Sequence, residues 1–338
     1  MKGRLLVYFA AVALAASSVS AQVDTQRCPP GTVSGLGIPD QARASQDACQ
    51  KSIDLFKYMA PQLGTSITGG NATLGQGSSL GGLGHFSVGL RVNGVQGSLP
   101  QIQNVTPAVT GAQSTEFDTK TQIIPMPTAD LAIGIFKGIP LALTNVGGVD
   151  LLVSAAYLPE FDGDGVSVKV PDGSLKIGYG ARVGILQESL LVPGISVSYL
   201  RRDLPTVNIA ATSNNDSLLV DNLSLKTNAW RVVASKSLLM FGLAAGFGQD
   251  KYESSADVRA HVAARAFSPE AQAGPVALSQ NLTRTNVFAD LSLNLLILKL
   301  TGEIGQVSGG TITTYNTFSG KQAADSRIYG SVGARFGF

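Results

Sequence analysis

The chain of 338 residues is poor in charge, since only 14% of its residues are Asp, Glu, Lys or Arg; ordinary soluble domains contain about 25%. Without Lys2 and Arg4, which lie in the leader described below, the 25 basic residues fall to the same number as the 23 acidic ones. A surface that binds nucleic acid needs an excess of basic side chains. The composition therefore argues against a nucleic-acid partner.

Long apolar runs and histidines are also scarce. After residue 16 no stretch approaches the roughly 20 apolar residues of a membrane helix. The chain has only two histidines, His85 and His261, and two cysteines, whereas glycine is abundant at 39 residues. We therefore expect no catalytic group, no cofactor and no bound metal. Low charge and abundant glycine without a membrane helix favour a membrane β-barrel over a soluble enzyme.

The first 21 residues predict a cleavable secretory signal. Lys2 and Arg4 precede an apolar run over residues 5–16, and Val19 and Ala21 occupy the two positions that a signal peptidase reads. Exported compartments are oxidising, so we expect Cys28 and Cys49 to form a disulfide, with two free thiols as the alternative. Closing a loop of this size stabilises a fold by roughly 3 kcal/mol.

Apolar and polar residues alternate in many segments. In residues 326–338 one parity is apolar or small and ends in Phe336 and Phe338, while the other carries Arg335. Such alternation gives a strand one apolar and one polar face. It predicts an all-β, antiparallel transmembrane barrel over residues 84–338, with ten strands near 84–94, 128–137, 148–158, 174–187, 193–204, 217–236, 238–252, 282–295, 297–308 and 326–338.

Two features leave the strand count open. The parity slips near Asn228, where a bulge or a short hairpin would explain it. The tight turn near Leu295 and Leu296 contains no Gly, Asn or Pro. The pattern therefore also allows twelve strands and, at most, fourteen.

The connections alternate between long and short, which is typical of outer-membrane barrels. Long ones are predicted over 95–127, 159–173, 205–216, 253–281 and 309–325. The apolar parity would then face lipid and the polar parity the lumen. The predicted lumen-facing residues with ionisable side chains are His85, Arg91, Lys176, Arg182, Lys299, Glu303 and Arg335.

Residues 22–83 differ from the barrel. Cys49, Ile53, Phe56, Ala60 and Leu63 follow helical spacing within residues 40–63, and Pro61 lies near the end of this stripe. The following Gly-rich tract, up to Gly84, predicts a flexible segment. This disulfide-closed N-terminal segment would be either a plug folded into the lumen or a periplasmic cap.

The terminal Phe338 after an alternating strand resembles the assembly signal of bacterial outer-membrane barrels. The order of helix, Gly69-Gly70-Asn71 loop and barrel resembles the N-terminal hatch of the long-chain fatty-acid channel family, whose strand number exceeds ten. These resemblances imply a multi-pass protein of a Gram-negative outer membrane. They imply outer-membrane lipid and the barrel assembly machinery as partners, and a small hydrophobic substrate.

The leading functional hypothesis is a narrow or plugged channel for small or hydrophobic molecules, because barrels near eight strands are filled by side chains. A structural or surface-interaction barrel that uses loops 95–127 and 253–281 is the alternative. A hydrolase at the outer rim is a third hypothesis, since Asp257 with His261 and Asp162 with Asp164 imitate the acidic and histidine pairs of ten-stranded outer-membrane proteases. The closer Asp-x-His spacing of that family is absent. A soluble β-sandwich is the alternative to membrane insertion.

Overall fold

A computed structural model describes residues 28–33, 39–102, 106–163, 166–213, 215–265 and 269–337. The predicted signal over residues 1–21 and the terminal Phe338 lie outside these ranges. The main elements are one helix and ten strands: α1 (Pro39–Thr68), β1 (Phe86–Pro100), β2 (Thr119–Phe136), β3 (Gly148–Tyr157), β4 (Leu175–Leu186), β5 (Gly194–Asp203), β6 (Asp216–Leu238), β7 (Phe241–Val262), β8 (Ala271–Leu295), β9 (Leu298–Ser308) and β10 (Arg327–Gly337).

The ten strands close into an antiparallel barrel. Each strand pairs with the next in sequence, and β10 pairs with β1 through registers such as Phe336 with Val88. The predicted fold class is confirmed, and the ten strands of the closed ring lie within the predicted ten to twelve. Strand β6 runs without interruption past Asn228, and the bulge lies between Asp221 and Ser224 instead. Asn222 adopts a φ of 52° there.

The two ends of the barrel differ. The turn end carries the start of β1 and the end of β10, with two-residue turns Leu239–Met240 and Leu296–Ile297. The predicted turn beside Leu295 is therefore confirmed. The loop end carries the longer connections 101–118, 158–174, 204–215, 263–270 and 309–326. Further short strands complete the molecule: Thr32–Val33, Phe161–Gly163, Val166–Lys169 and Val207–Ser213 extend the sheet, and Ile139–Leu141 pairs with Thr144–Val146 at the turn end.

Strands β7 and β8 are longer than predicted, whereas β6 closely matches its predicted range of 217–236. The expected loop 253–281 is mostly strand, because β7 continues to Val262 and β8 begins at Ala271. The expected loop 95–127 is likewise reduced to 101–118. The outward residues of these extensions are polar and the inward ones apolar, as Arg259 and Val258 illustrate, which is the reverse of the order nearer the turn end.

The outer face carries an apolar band from the turn end upward. On β7 it comprises Phe241, Leu243, Ala245 and Phe247 before the polar Gln249. Aromatic side chains mark both edges of the band: Phe86, Phe136, Phe241 and Phe336 toward the turn end, and Tyr157, Tyr179, Tyr199 and Trp230 toward the loop end. An apolar band of this kind, bordered by aromatic residues, is typical of membrane-spanning barrels.

Helix α1 lies inside the ring of strands. Its predicted stripe is confirmed, since Cys49, Ile53, Phe56 and Ala60 are buried against inward residues of β6, β7 and β8 and Leu63 packs at their edge. The helix continues beyond residue 63 and contains Pro61. The predicted disulfide is present, so Cys28 is tied to the helix at Cys49. Among the described residues no helix is long and apolar enough to cross a membrane.

Candidate functional site: the filled lumen

At the loop end, two buried acids of α1 bind the connecting loops. Asp47 pairs with Lys51 and accepts hydrogen bonds from the backbone N–H of Ala108 and Gln113, both at 2.8 Å. About two turns further on, Asp54 accepts bonds from the backbone N–H of Asn316 at 2.9 Å and of Tyr315 at 3.2 Å. Burial raises the pKa of the Asp54 carboxyl above its ordinary value, although these N–H donors oppose the shift. The helix is thus attached to two loops.

The C-terminus of α1 meets three arginines of the barrel wall. Arg91 donates to the carbonyl of Gly69 at 2.8 Å, Arg231 to that of Thr68 at 2.9 Å, and Arg202 to that of Gly70 at 3.2 Å. The last carbonyls of a helix have no intrahelical donor, and the helix dipole makes this end partly negative. The arginines therefore satisfy these carbonyls and stabilise the helix end in the lumen.

Buried aspartates balance these arginines. Asp130 accepts from Arg91 and lies 3.8 Å from Arg202, and Asp250 pairs with Arg231. Thr68 also donates to Asp250 at 2.9 Å. A buried charge is costly unless it is paired and hydrogen-bonded, so the wall and the helix end stabilise one another.

Below the helix, residues 69–85 (here the lumen linker) run through the barrel to β1. Arg182 of β4 donates to Thr73 Oγ1 at 2.5 Å and pairs with Asp150, which accepts from the Leu80 N–H at 3.1 Å. On the opposite wall, Glu303 accepts from the Asn71 N–H and Asp290 from the Gly75 N–H, both at 3.2 Å. Wall side chains thus bind the linker backbone along its length.

Steric constraints require glycine at two positions of the linker. Gly70 has a φ of 75°, and a Cβ there would lie 2.4 Å from Arg91 Nη1; Gly82 has a φ of 97°, and a Cβ there would lie 2.8 Å from the Lys137 backbone nitrogen. Both conformations favour glycine, and neither position has room for a side chain. The predicted flexible tract is therefore wrong for residues 69–84, which are largely buried and hydrogen-bonded.

The structure brings five of the seven predicted ionisable lumen residues into the interior: Arg91, Arg182, Glu303, Lys299 and Arg335. Two predictions were wrong. His85 precedes β1 and is exposed at the turn end, where its backbone carbonyl accepts from the Gly134 N–H. Lys176 has the inward parity but lies at the loop-end limit of β4, where its side chain is exposed.

Sequence reasoning missed the partners of these residues. Asp130, Asp150, Arg202, Arg231 and Asp250 all lie on the buried parity of their strands. All five fall within predicted strands, so the face of the strand on which each lies could have been inferred from the alternation. The partners of these side chains could not be predicted, because they depend on the register of the strands and on a linker that is distant in sequence.

The residues considered for a rim hydrolase are not assembled. Asp257 and His261 lie four residues apart on the outward face of β7, about 13 Å along an extended strand. Asp257 accepts from Asn222 at 3.0 Å, and His261 lies 3.3 Å from Glu270. Asp162 is in a short strand, and Asp164 lies outside the described residues. In the described part of the chain no cluster of His, Cys, Asp or Glu could hold a metal ion.

The lumen opens at the turn end into a cavity of about 570 Å³, here called the vestibule. Its charged lining residues are Glu188, Lys299 and Arg335, and the linker residues Gln76 and Ser78 form part of it. Leu190, Leu296 and Ile297 border its mouth. The vestibule is thus a polar space with an apolar rim, closed on the inside by the linker.

No protein-family model matches the chain, and no curated protein matches it. Similar solved structures include the transport unit of the autotransporter AIDA-I from Escherichia coli, which is 9% identical, with 86% of this chain and 99% of that chain covered and a TM-score of 0.37. The Pseudomonas putida toluene transporter TodX is 9% identical, with 80% and 96% covered and a TM-score of 0.30. The attachment invasion locus protein Ail of Yersinia pestis is 10% identical, with 76% and 99% covered and a TM-score of 0.20.

These structures are bacterial outer-membrane β-barrel proteins. At such identities and scores the likeness concerns the general architecture and carries no argument about activity. The resemblance to the long-chain fatty-acid channel family stays a hypothesis. The pairing of the ten strands shows a closed barrel. The comparisons add that this barrel is similar to those of bacterial outer-membrane proteins.

Proposed function

We propose that the protein is an outer-membrane channel for small or hydrophobic solutes whose lumen is closed by its own N-terminal segment, α1 and the lumen linker. The observation that carries the proposal is the set of buried wall charges that bind this segment. A barrel whose lumen is filled only by its own wall needs apolar or small inward side chains, because charges buried in the lumen are energetically costly. Here Arg91, Arg182 and Arg231 each donate to a group of the segment.

The apolar band supports the location. Outward side chains from Phe241 to Phe247 on β7 would lie in hydrocarbon, and Tyr157, Tyr179, Tyr199 and Trp230 would lie at the interface toward the loop end. By the usual arrangement of such barrels, the short turns would face the periplasm and the long connections the exterior. The vestibule would then open to the periplasm.

The contacts also distinguish two parts of the segment. Helix α1 packs in an apolar cluster that includes Ile53 and Val258. The linker instead depends on polar contacts, and water can replace the partners in such contacts. We therefore assign the first step of opening to the linker, whose bonds to Asp150, Arg182 and Ser235 can be exchanged for water or solute.

The test is solute-driven swelling of liposomes that contain the purified protein. Deleting residues 22–83 should open the pore and increase swelling. Because that deletion removes part of the core, a second variant, Asp150→Asn/Arg182→Gln, loosens the linker and leaves no unpaired charge. Its matched control is Asp221→Asn/Arg259→Gln, which removes an exposed ion pair of 2.6 Å at the loop end.

Swelling that increases in both lumen variants and not in the control supports a plugged channel. Absence of swelling from all inserted variants refutes the channel. That result favours the second candidate, a structural or surface-interaction barrel. The specific observation behind this candidate is that β6, β7 and β8 extend past the polar edge of the band and, with α1, form a folded unit at the loop end.

A further inference from the structure

The vestibule contains cations with unused hydrogen-bonding capacity. Lys299 on β9 and Arg335 on β10 are directly paired in register, so two positive side chains project side by side into the same cavity. Like charges directly opposite each other on neighbouring strands are destabilising unless a counter-charge lies between them. Neither residue forms an ion pair among the described residues.

The charged groups of the vestibule differ in whether their hydrogen-bonding atoms have partners. Both oxygens of Glu188 are occupied, one by the Ser237 N–H at 2.5 Å and the other by Ser235 Oγ at 3.1 Å. Lys299 donates to the Gly75 carbonyl at 2.6 Å. The buried Nη1 of Arg335 has no hydrogen-bond partner among the residues that the structure describes. Among the charged residues of the vestibule, the buried atom without a partner is therefore a cationic donor.

We infer that the vestibule is a binding site for an anionic group, a carboxylate or a phosphate, held between Lys299 and Arg335. A planar guanidinium can bind two oxygens of such a group at once, and an ammonium beside it adds a second charge-assisted bond. The cavity of about 570 Å³ has the size of a small-molecule site. The anion would add a negative charge to that of Glu188, whose two oxygens already accept hydrogen bonds from Ser237 and Ser235.

This inference goes beyond the proposed function, because binding can be measured on the closed, full-length protein whether or not solutes cross it. Two sources could supply the anion: a soluble solute or the phosphate of a membrane lipid. The rim residues Leu190 and Leu296 lie at the mouth of the vestibule and would contact the apolar part of a lipid. The experiment therefore needs an arm for each source.

The first arm titrates inorganic phosphate into the protein in a neutral detergent by calorimetry, at constant ionic strength set with chloride. The wild-type protein should bind phosphate, Arg335→Gln should weaken binding at least about tenfold, and Arg335→Lys should retain part of it, since it keeps the charge and loses the paired donors. Lys299→Gln provides a second, independent variant. Arg259→Gln, the same change at the exposed loop end, should bind as the wild type does.

The second arm incorporates the protein into vesicles of phosphatidylglycerol and phosphatidylcholine and measures by mass spectrometry which lipid stays bound after extraction in neutral detergent. Retention of phosphatidylglycerol that Arg335→Gln abolishes identifies a lipid headgroup as the anion. Phosphate binding that depends on Arg335, without retained phosphatidylglycerol, identifies a soluble anion. The inference is overturned if neither anion binds, or if the Arg335 and Lys299 variants bind like the wild type.

Discussion

The two-residue turns at the turn end raise a question that one substitution can answer. Leu239 and Leu296 are fully exposed, at 99% and 105%, and adopt φ values of 55° and 52°. The left-handed conformation costs a non-glycine residue about 1–2 kcal/mol, and such turns usually contain Asn or Gly. An exposed leucine at a strained position in water would gain nothing that offsets this cost.

Strand geometry suggests what offsets it. A strand tilted as in membrane barrels rises about 2.5 Å per residue along the membrane normal. On β7 and β9, the first polar outward residues, Gln249 and Gln306, follow the turn leucines Leu239 and Leu296 by ten residues, a height of about 25 Å. That is the height of the apolar band of outer-membrane barrels. We therefore predict that these turn leucines lie in hydrocarbon.

The change Leu296→Asn should alter the free energy of unfolding in opposite directions in water and in hydrocarbon. In water, Asn relieves part of the strain and should raise the free energy of unfolding by up to about 1 kcal/mol. In hydrocarbon, the protein loses about 2 kcal/mol of leucine transfer and pays roughly 2 kcal/mol more for the amide, so it should be destabilised by about 2–3 kcal/mol. Leu239→Asn repeats the test in the other turn.

The assay is equilibrium unfolding by urea in phosphatidylcholine vesicles, followed by the fluorescence of Trp230, the single tryptophan of the chain. The reciprocal control is Asn215→Leu, at an exposed loop-end residue with a φ of 70°. It should cost about 1 kcal/mol, because it adds strain without contact with lipid. If both leucine variants are as stable as the wild type or more stable, the turns lie in water and the reasoning is wrong.

Three further changes test the interior. Asp150→Asn should cost about 3–5 kcal/mol by leaving Arg182 buried without its partner, and the double change Asp150→Asn/Arg182→Gln should cost clearly less; additive losses by urea unfolding would contradict the coupling. Because the folded state raises the pKa of Asp54, the contribution of this group to stability should fall as the pH rises from about 4, and Asp54→Asn should remove that slope in unfolding measured from pH 4 to 7. Reduction of Cys28–Cys49, which are 21 residues apart, should lower the free energy of unfolding by about 3 kcal/mol, whereas no change would show that the helix is held without it.

The ten strands could be predicted from the sequence because lipid imposes one requirement on every strand. Outward residues must be apolar wherever the strand crosses the membrane, so the alternation near Leu291 or Val332 depends on no partner elsewhere in the chain. The same independence explains why the turn without Gly, Asn or Pro was located by parity alone. The interior could not be predicted in this way, because inward residues such as Arg202 and Asp250 are specified by the helix end that they contact.

The lumen linker shows a second limit. Glycine in a sequence favours flexibility only where the backbone has no partner. Residues 69–85 pass so close to the wall that a Cβ at Gly70 or Gly82 would collide with Arg91 or with the backbone of Lys137. A glycine-rich composition is therefore compatible with a flexible tract and with a closely packed one. The contacts with the surrounding barrel decide which of the two forms.

The error in the length of β7 and β8 has a physical cause that applies to other barrels. Near the turn end the outward parity of β7 is apolar and the inward parity is small or polar, as Phe247 and Gly246 show. Past Gln249 the outward parity meets water and becomes polar, and the inward parity packs on α1 and becomes apolar, as Arg259 and Val258 show. A strand that leaves the membrane beside an internal helix must therefore reverse its polarity. The parity slip near Asn228 marks that reversal on β6, where Trp230 faces outward and Leu225 faces the helix. Such a change of parity in a sequence therefore marks the height at which the strand leaves the lipid. It also indicates that an apolar element fills the lumen above that height.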